Sequence, residues 1–302
     1  MDNYSKDNTE VSEIEIDGKY IIIKKIGYDS INVPYLVKEK NTQKKYFAYI
    51  EYYNQDELPE IIRFPQQLQK YQILSNLNYP YIHRIIYHGI GIIKIKEEKK
   101  EKEYILADYI KGKSLDQFLS KNNGFEELYA KAISEKILKG VKAMHEAGIC
   151  HRDIKPHNIL LDINMNPIIT GFYISSLFKE NYKFKDIVGA YYYMSPQQLD
   201  GREYDGIKND IFGLGITLFN LIFGMKKRCF IQNKKGDENY DLIINKQFEE
   251  FWKKICENSD KSYSYISEEF KNLFVRMVAY EENERPTIDE ILKDKWFDEL
   301  RD

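Results

Sequence analysis

The chain has 302 residues, 43% of them hydrophobic, which is enough apolar material for a core spread over about two domains at roughly 150 residues each. Its 45 basic and 48 acidic residues leave a net charge of −3, which excludes a global field that would draw in nucleic acid or an anionic membrane. No apolar run reaches the roughly 18 residues that span a bilayer, and the polar, acidic start is no signal peptide, so the chain is read as intracellular, cytoplasmic or nuclear.

Residues 1–18 read as a disordered tail with little to bury. Tyr20-Ile21-Ile22-Ile23-Lys24-Lys25-Ile26 is then a β-branched run that stops at Gly27, and Pro34-Tyr35-Leu36-Val37-Lys38 is a second strand. A polar turn over residues 41–45 leads to a third strand over residues 46–52. A helix is predicted over residues 65–77, because Pro65 suits a first helical position and Leu68, Tyr71, Leu74 and Leu77 recur at helical spacing. The mixed-charge run over residues 94–103 is expected to be a solvated hairpin tip, with a further strand over residues 104–110. Ser114 is a candidate N-cap after Gly112, and residues 126–147 are predicted to form a long amphipathic helix. Cys150, Cys229 and Cys256 are too widely spaced to suggest a disulfide framework or a zinc motif.

The longest motif is His151-Arg152-Asp153-Ile154-Lys155-Pro156-His157-Asn158-Ile159-Leu160-Leu161. Downstream lie Val188-Gly189-Ala190-Tyr191-Tyr192-Tyr193-Met194-Ser195-Pro196-Gln197, then Asn209-Asp210-Ile211-Phe212-Gly213-Leu214-Gly215, Glu284-Arg285-Pro286 and Lys295-Trp296-Phe297. The first string resembles the H-R-D-x-x-x-x-N catalytic loop of the protein kinase superfamily, with Lys155 as in its serine/threonine members. The others resemble the end of the activation segment, the central helix and the closing helices of that family. The resemblance spans residues 19–298. It implies an α+β, bilobal protein-kinase fold: a small β-rich N-lobe with its αC helix over residues 19–107, and a larger, mostly helical C-lobe over residues 108–302.

The resemblance also assigns roles. Asp153 would accept the hydroxyl proton, Lys155 would steady the transferred phosphoryl group and Asn158 would hold a magnesium ion. His151, Leu74 and Phe172 would stack in an internal spine, Asp210 would anchor the backbone of the loop that includes Arg152, and Arg285 would be structural. Gln197 stands where an acid would pair with Arg285, and an amide oxygen can still accept from a guanidinium. Adenine would meet the backbone between Asp108 and Ile110, behind a small Ala107.

The phosphate and metal positions depart from the pattern. In the glycine-rich loop only Gly27 is kept, and Asp29 brings a negative side chain to a site for negative phosphates. The lysine of the third strand falls on Tyr49 by a gapless count, which puts Phe47 at the adenine-facing alanine. Anchoring on Ala48 instead moves the lysine position to Ile50. The αC glutamate falls on Lys70, no acid occurs from Ile61 to Leu77, and a charge-swapped pair of Glu51 with Lys70 would put Glu51 off the expected register. In Thr170-Gly171-Phe172-Tyr173, Gly171 replaces the metal-binding aspartate, and magnesium wants hard oxygen ligands. Ala190 replaces a threonine. The sequence therefore points to a pseudokinase, a binding or allosteric module for a protein partner such as an active kinase or its substrate, with no cofactor. The competing reading is an active serine/threonine kinase using ATP and Mg2+ through relocated ligands.

Overall fold

The structure, a computed structural model, describes residues 14–26, 32–51, 64–257 and 261–301. The loop containing Gly27 and Asp29 and most of the expected tail lie outside these residues. The chain divides into two compact units, Met1–Asn78 with His83–Ile110, and Tyr79–Ile82 with Lys111–Asp302.

The first unit holds strands β1 (Ile14–Ile16), β2 (Tyr20–Lys25), β3 (Asn32–Glu39) and β4 (Lys45–Glu51), helix α1 (Phe64–Asn76), and strands β5 (Ile85–Ile95) and β6 (Glu98–Asp108). The strands close an antiparallel barrel in the order β1-β2-β3-β4-β6-β5. Closure is the work of β1, which pairs with β2 through Glu15 and Ile16 and with β5 through all three of its residues. This corrects the expected tail at its end: Ile16 is fully buried in the barrel core. Asp17 helps hold it, accepting from Ile92 N and from the Tyr104 hydroxyl, both at 2.7 Å. Gly91 is required here, because a Cβ would lie 2.6 Å from the Asp17 carboxylate.

Side chains alternate across a strand. On β4, Tyr46, Ala48 and Ile50 join Ile22, Val37 and Leu106 in the barrel core, which turns Phe47 and Tyr49 to the opposite face. The mixed-charge run is mostly strand, since β5 and β6 continue to Ile95 and Glu98 around a turn with Lys96 at φ 55°. Helix α1 forms where predicted, but its buried stripe is rotated. Tyr71 and Leu74 are buried as expected, whereas Leu68 is exposed and Gln67 and Lys70 are buried instead. The inward groups gather around Tyr71. His88 on β5 lies tilted against the Tyr71 ring at 4.2 Å and bonds Glu103 at 2.6 Å, while the Lys70 ammonium lies 4.6 Å from the same ring and donates to Gln67.

The second unit is mostly helical. It contains β7 (Gly112–Ser114), α2 (Leu115–Lys121), α3 (Glu127–Glu146), β8 (Ile149–Cys150), β9 (Ile159–Asp162), β10 (Pro167–Ile169) and β11 (Ser176–Leu177). Helices α4 (Pro196–Leu199), α5 (Gly206–Phe223), α6 (Glu238–Ile244), α7 (Phe248–Glu257), α8 (Glu268–Met277) and α9 (Ile288–Leu292) follow. Ser114 occupies the N-cap of α2 but its side chain makes no capping bond. Helix α3 buries Ala130, Ile133, Ile137, Val141 and Met144, a stripe at helical spacing. It packs on α5, whose residues are nearly all buried, and α5 packs on α8. Phe219 and Phe223 of α5 stack 4.4 Å apart and meet Trp252 of α7, which completes an aromatic core with Phe274 of α8. A helix buried on all sides can present a carboxylate inward only if that group is fully bonded, and Asp210 meets that condition.

Candidate functional site

The loop between β8 and β9 carries His151, Arg152, Asp153, Lys155 and Asn158. Its start is held from below by Asp210. One carboxylate oxygen accepts from His151 N at 2.8 Å and lies 2.9 Å from His145 Nε2, and the other accepts from Arg152 N at 2.6 Å. This bonding holds Arg152 at φ 64°, the left-handed region, which costs a non-glycine residue and persists only under such restraint. His151 donates from Nε2 to Thr170 O at 2.7 Å and accepts at Nδ1 from Asp153 N at 3.3 Å, so both ring nitrogens are used in the neutral tautomer. Its ring meets Phe172 edge-on at 5.7 Å.

Asp153, Lys155 and Asn158 come together. Asp153 Oδ2 is 2.6 Å from Lys155 Nζ, and Asn158 Nδ2 donates to both Oδ2 and the backbone oxygen of Asp153 at 2.8 Å. Oδ1 accepts from Ala190 N at 2.9 Å. Where the resemblance expects a threonine hydroxyl, the backbone N–H at 190 serves. The carboxylate is thus tied on three sides.

Gly171 stands next to this group at φ 77° and ψ 38°, the left-handed region. A Cβ built there would lie 2.5 Å from Cγ and Oδ1 of Asn158. The Asn158 amide has therefore filled the space that a carboxylate-bearing side chain would need, and Asn158 holds Asp153 with the same amide. Among the described residues, no three His, Cys, Asp or Glu side chains gather as metal ligands would.

Sequence reasoning missed three contacts. Arg152 is buried and donates from Nε and one Nη to Ile174 O at 2.9 and 2.6 Å. Its other Nη bonds both oxygens of Asp186, at 2.9 and 2.6 Å, and its guanidinium lies 4.7 Å from the Phe184 ring. Arg152 therefore ties the segment around residue 186 to the loop; only the arginine was marked in the sequence. Second, the Asp108 backbone, expected to be open to adenine, is engaged. Its N–H donates to Arg84 O at 3.1 Å and its oxygen accepts from His83 Nε2 at 2.7 Å. Its side chain makes longer surface pairs with Lys44 and Arg84, at 3.8 and 3.6 Å. No sequence pattern singled out His83. Third, Lys70, at the expected glutamate position, is nearly fully buried, against Tyr71 and Gln67. The Glu51 side chain, its suggested partner, lies outside the described residues.

The register of β4 decides between the two alignments. Ile50 and Ala48 point into the barrel core, so Ala48 is corrected from a cofactor-facing residue to a core residue. Tyr49 and Phe47 take the other face, where Phe47 meets His83 and Tyr109 edge-on at 5.8 and 5.3 Å. Neither face of β4 brings a lysine to position 49 or 50. Ile110 ends the first unit, and Ala107 is fully buried.

Burial lowers the pKa of both His83 and His151, against the opposing pull of the Asp108 carbonyl on one and of Asp210 on the other. The unfolded chain, with imidazoles near the ordinary 6.5, takes up protons that the folded chain refuses. The stability gained from keeping them neutral is complete above that pH and is lost as pH falls through it towards the folded values. The free energy of unfolding, read from urea titrations, is expected to fall between pH 6.5 and 5.5, by at most about 2 kcal/mol for the pair, and His83→Gln should flatten that dependence. An unchanged slope in that variant would remove His83 from the account.

The protein kinase domain family matches residues 20–297. The chain is 26% identical over 280 residues to the probable serine/threonine-protein kinase MARK-A of Dictyostelium discoideum, covering 92% of this chain and 24% of that protein. It is 26% identical over 297 residues to the serine/threonine-protein kinase AtPK2/AtPK19 of Arabidopsis thaliana, covering 97% of this chain and 57% of that one. The chain thus spans about a quarter of one relative and somewhat over half of the other. With the family matched across nearly its whole length, over the same residues that build the loop around Asp153, the chain belongs to the protein kinase domain family.

Proposed function

We propose that this chain is a pseudokinase, a kinase-like binding or allosteric module that transfers little or no phosphate, with its two units as the N-lobe and C-lobe of a bilobal fold. One observation carries the reading: Gly171 supplies no carboxylate, and the Asn158 amide occupies the space where one would have to stand. The residues present do not fit a divalent cation. The engaged Asp108 backbone and the aromatic face of β4 point the same way for adenine and phosphate. The module acts on a protein partner; neither nucleic acid nor a membrane surface matches its charge.

A second reading, an active serine/threonine kinase using ATP and Mg2+, draws on the Asp153–Lys155 contact at 2.6 Å with Asn158 beside it. The two readings separate in a thermal-shift titration. A saturating ligand stabilises by RT ln(1 + [L]/Kd), about 2.7 kcal/mol at a hundredfold excess over Kd. Millimolar ATP with magnesium should move the melting temperature by less than about 1 °C on the pseudokinase reading. A dose-dependent, magnesium-requiring rise of several degrees would favour the active kinase.

A further inference from the structure

Phe248 and Trp252 on α7, Tyr263 in the turn Tyr263–Tyr265 and Lys271 on α8 wall a cavity of about 230 Å³ that lies wholly within the second unit. Two donors in these walls are buried and short of acceptors. The Trp252 side chain is 2% exposed and fixed among Phe223, Phe251 and Phe274. Its indole Nε1–H is buried and has no hydrogen-bond partner among the described residues. The Lys271 ammonium carries three N–H groups, of which one donates to Glu268 at 2.7 Å.

The lysine is held without being saturated. Its side chain is 3% exposed and that of Glu268 67% exposed, so the acid meets the ammonium from the solvent side. The ammonium also lies 3.3 Å from the centroid of the Tyr263 ring, which attracts the charge but accepts no ordinary hydrogen bond. A buried donor without an acceptor is destabilising, and native interiors keep few of them. The second indole of the chain shows the usual outcome, since Trp296 Nε1 donates to Glu127 at 2.6 Å. Two such donors beside one cavity point to an acceptor that arrives with a ligand.

We propose that this cavity binds a monocarboxylate with a flat apolar body, its oxygens accepting from Lys271 and Trp252 and its body lying against Phe248 and Tyr263. The inference goes beyond the pseudokinase reading and holds whether or not the chain transfers phosphate. The walls favour a single negative charge. Glu268 already shares Lys271, and Glu249 lines the same cavity, paired with Lys253 at 2.6 Å, so a phosphate or a dicarboxylate would meet two acids. The volume is below the roughly 300–1,000 Å³ that drug-sized ligands occupy, which suits a single ring on a short chain. Such a group comes as a free acid or as the C-terminal residue of a protein partner, and the two share this chemistry.

The test follows the indole N–H signals of the isotope-labelled full chain in nitrogen–proton correlation spectra. The chain has two tryptophans, and Trp252→Phe identifies which signal is which. On titration with 3-phenylpropionate the Trp252 signal should move downfield and saturate, while that of Trp296, already bonded to Glu127, should stay. The neutral 3-phenylpropanamide and the doubly charged phenylphosphate should each bind at least about tenfold more weakly. Lys271→Gln and Phe248→Ala should each cost the acid at least about tenfold. Phe248 is half-buried, so its variant keeps the test open if the buried lysine proves necessary for folding. N-acetyl-glycyl-phenylalanine with a free C-terminus separates the two sources: tighter binding than the acid assigns the site to a protein terminus, and weaker binding assigns it to a free acid. No movement of the Trp252 signal at about 10 mM acid, an equal response to the amide, or unchanged affinity in both variants would each overturn the proposal.

Discussion

Arg285→Ala is expected to lower the free energy of unfolding by about 2–5 kcal/mol, read as a fall in the urea midpoint without a change in slope. The guanidinium is almost fully buried, and burial brings its pKa down to about 10. Its donors are spread over four acceptors: Ala279 O at 2.9 Å, Lys208 O at 3.2 Å, Gln197 Oε1 at 2.6 Å and Tyr280 O at 3.3 Å. Alanine would leave Gln197 Oε1 without this donor and open a hole beside Phe212, whose ring lies 5.0 Å from the guanidinium. Each buried polar group left unmatched costs about 1–3 kcal/mol. Among the described residues, no carboxylate bonds this arginine. Gln197 takes the acid's place, its oxygen accepting from Arg285 while its nitrogen donates to Tyr280 O. The joint between α4 and the turn before α9 is therefore held by an ion–dipole network, and it should be insensitive to salt. An unchanged midpoint in the alanine variant would refute that account.

Phosphotransfer to a generic protein substrate is expected at least about four orders of magnitude below that of an ordinary kinase. Charge neutralisation by metal and by a phosphate-binding lysine is worth several kcal/mol each, and about 1.4 kcal/mol is a factor of ten. The effects are not additive, so four orders is a minimum loss. Gly171→Asp alone should recover less than about tenfold. The new side chain has to displace an Asn158 amide that makes two bonds to Asp153, and position 49 still has no cation. Radiolabelled ATP and a general substrate provide the readout. Steady turnover by the natural chain, abolished by Asp153→Asn, would refute the expectation and return Asp153 to the role of base.

The framework was legible because its residues sit in long, fixed-spacing motifs. Asp210 under the loop, Arg285 with Gln197, and Asp153 with Lys155 and Asn158 all meet as the family resemblance implied. What stayed hidden depended on which way a side chain faces. Tyr46-Phe47-Ala48-Tyr49-Ile50 is apolar on both faces, so alternation could not tell Ala48 from Phe47, and only pairing with β3 and β6 fixed the choice. On α1 the apolar spacing named Leu68, but Gln67 and Lys70 turn inward instead, with Lys70 against the Tyr71 ring and Gln67. His83 and Asp186 lie in connecting segments whose partners, Asp108 and Arg152, are distant in sequence. Three residues of β1 inside a polar stretch are too few for periodicity to register.

That short strand has a consequence for where the chain can be cut. The family match begins at residue 20, which suggests trimming everything before it. A chain trimmed there loses Ile14–Ile16 and Asp17, and with them the pairing that shields one flank of β2 and one flank of β5. Two rows of unpaired N–H and C=O groups would then face solvent, and β5 also exposes Ile90 and Ile92. Such an edge is a template for another chain to add to. The trimmed protein would keep every residue of the loop around Asp153 and still come out of solution as an aggregate, so its insolubility would reflect the missing barrel stave and not the state of the site.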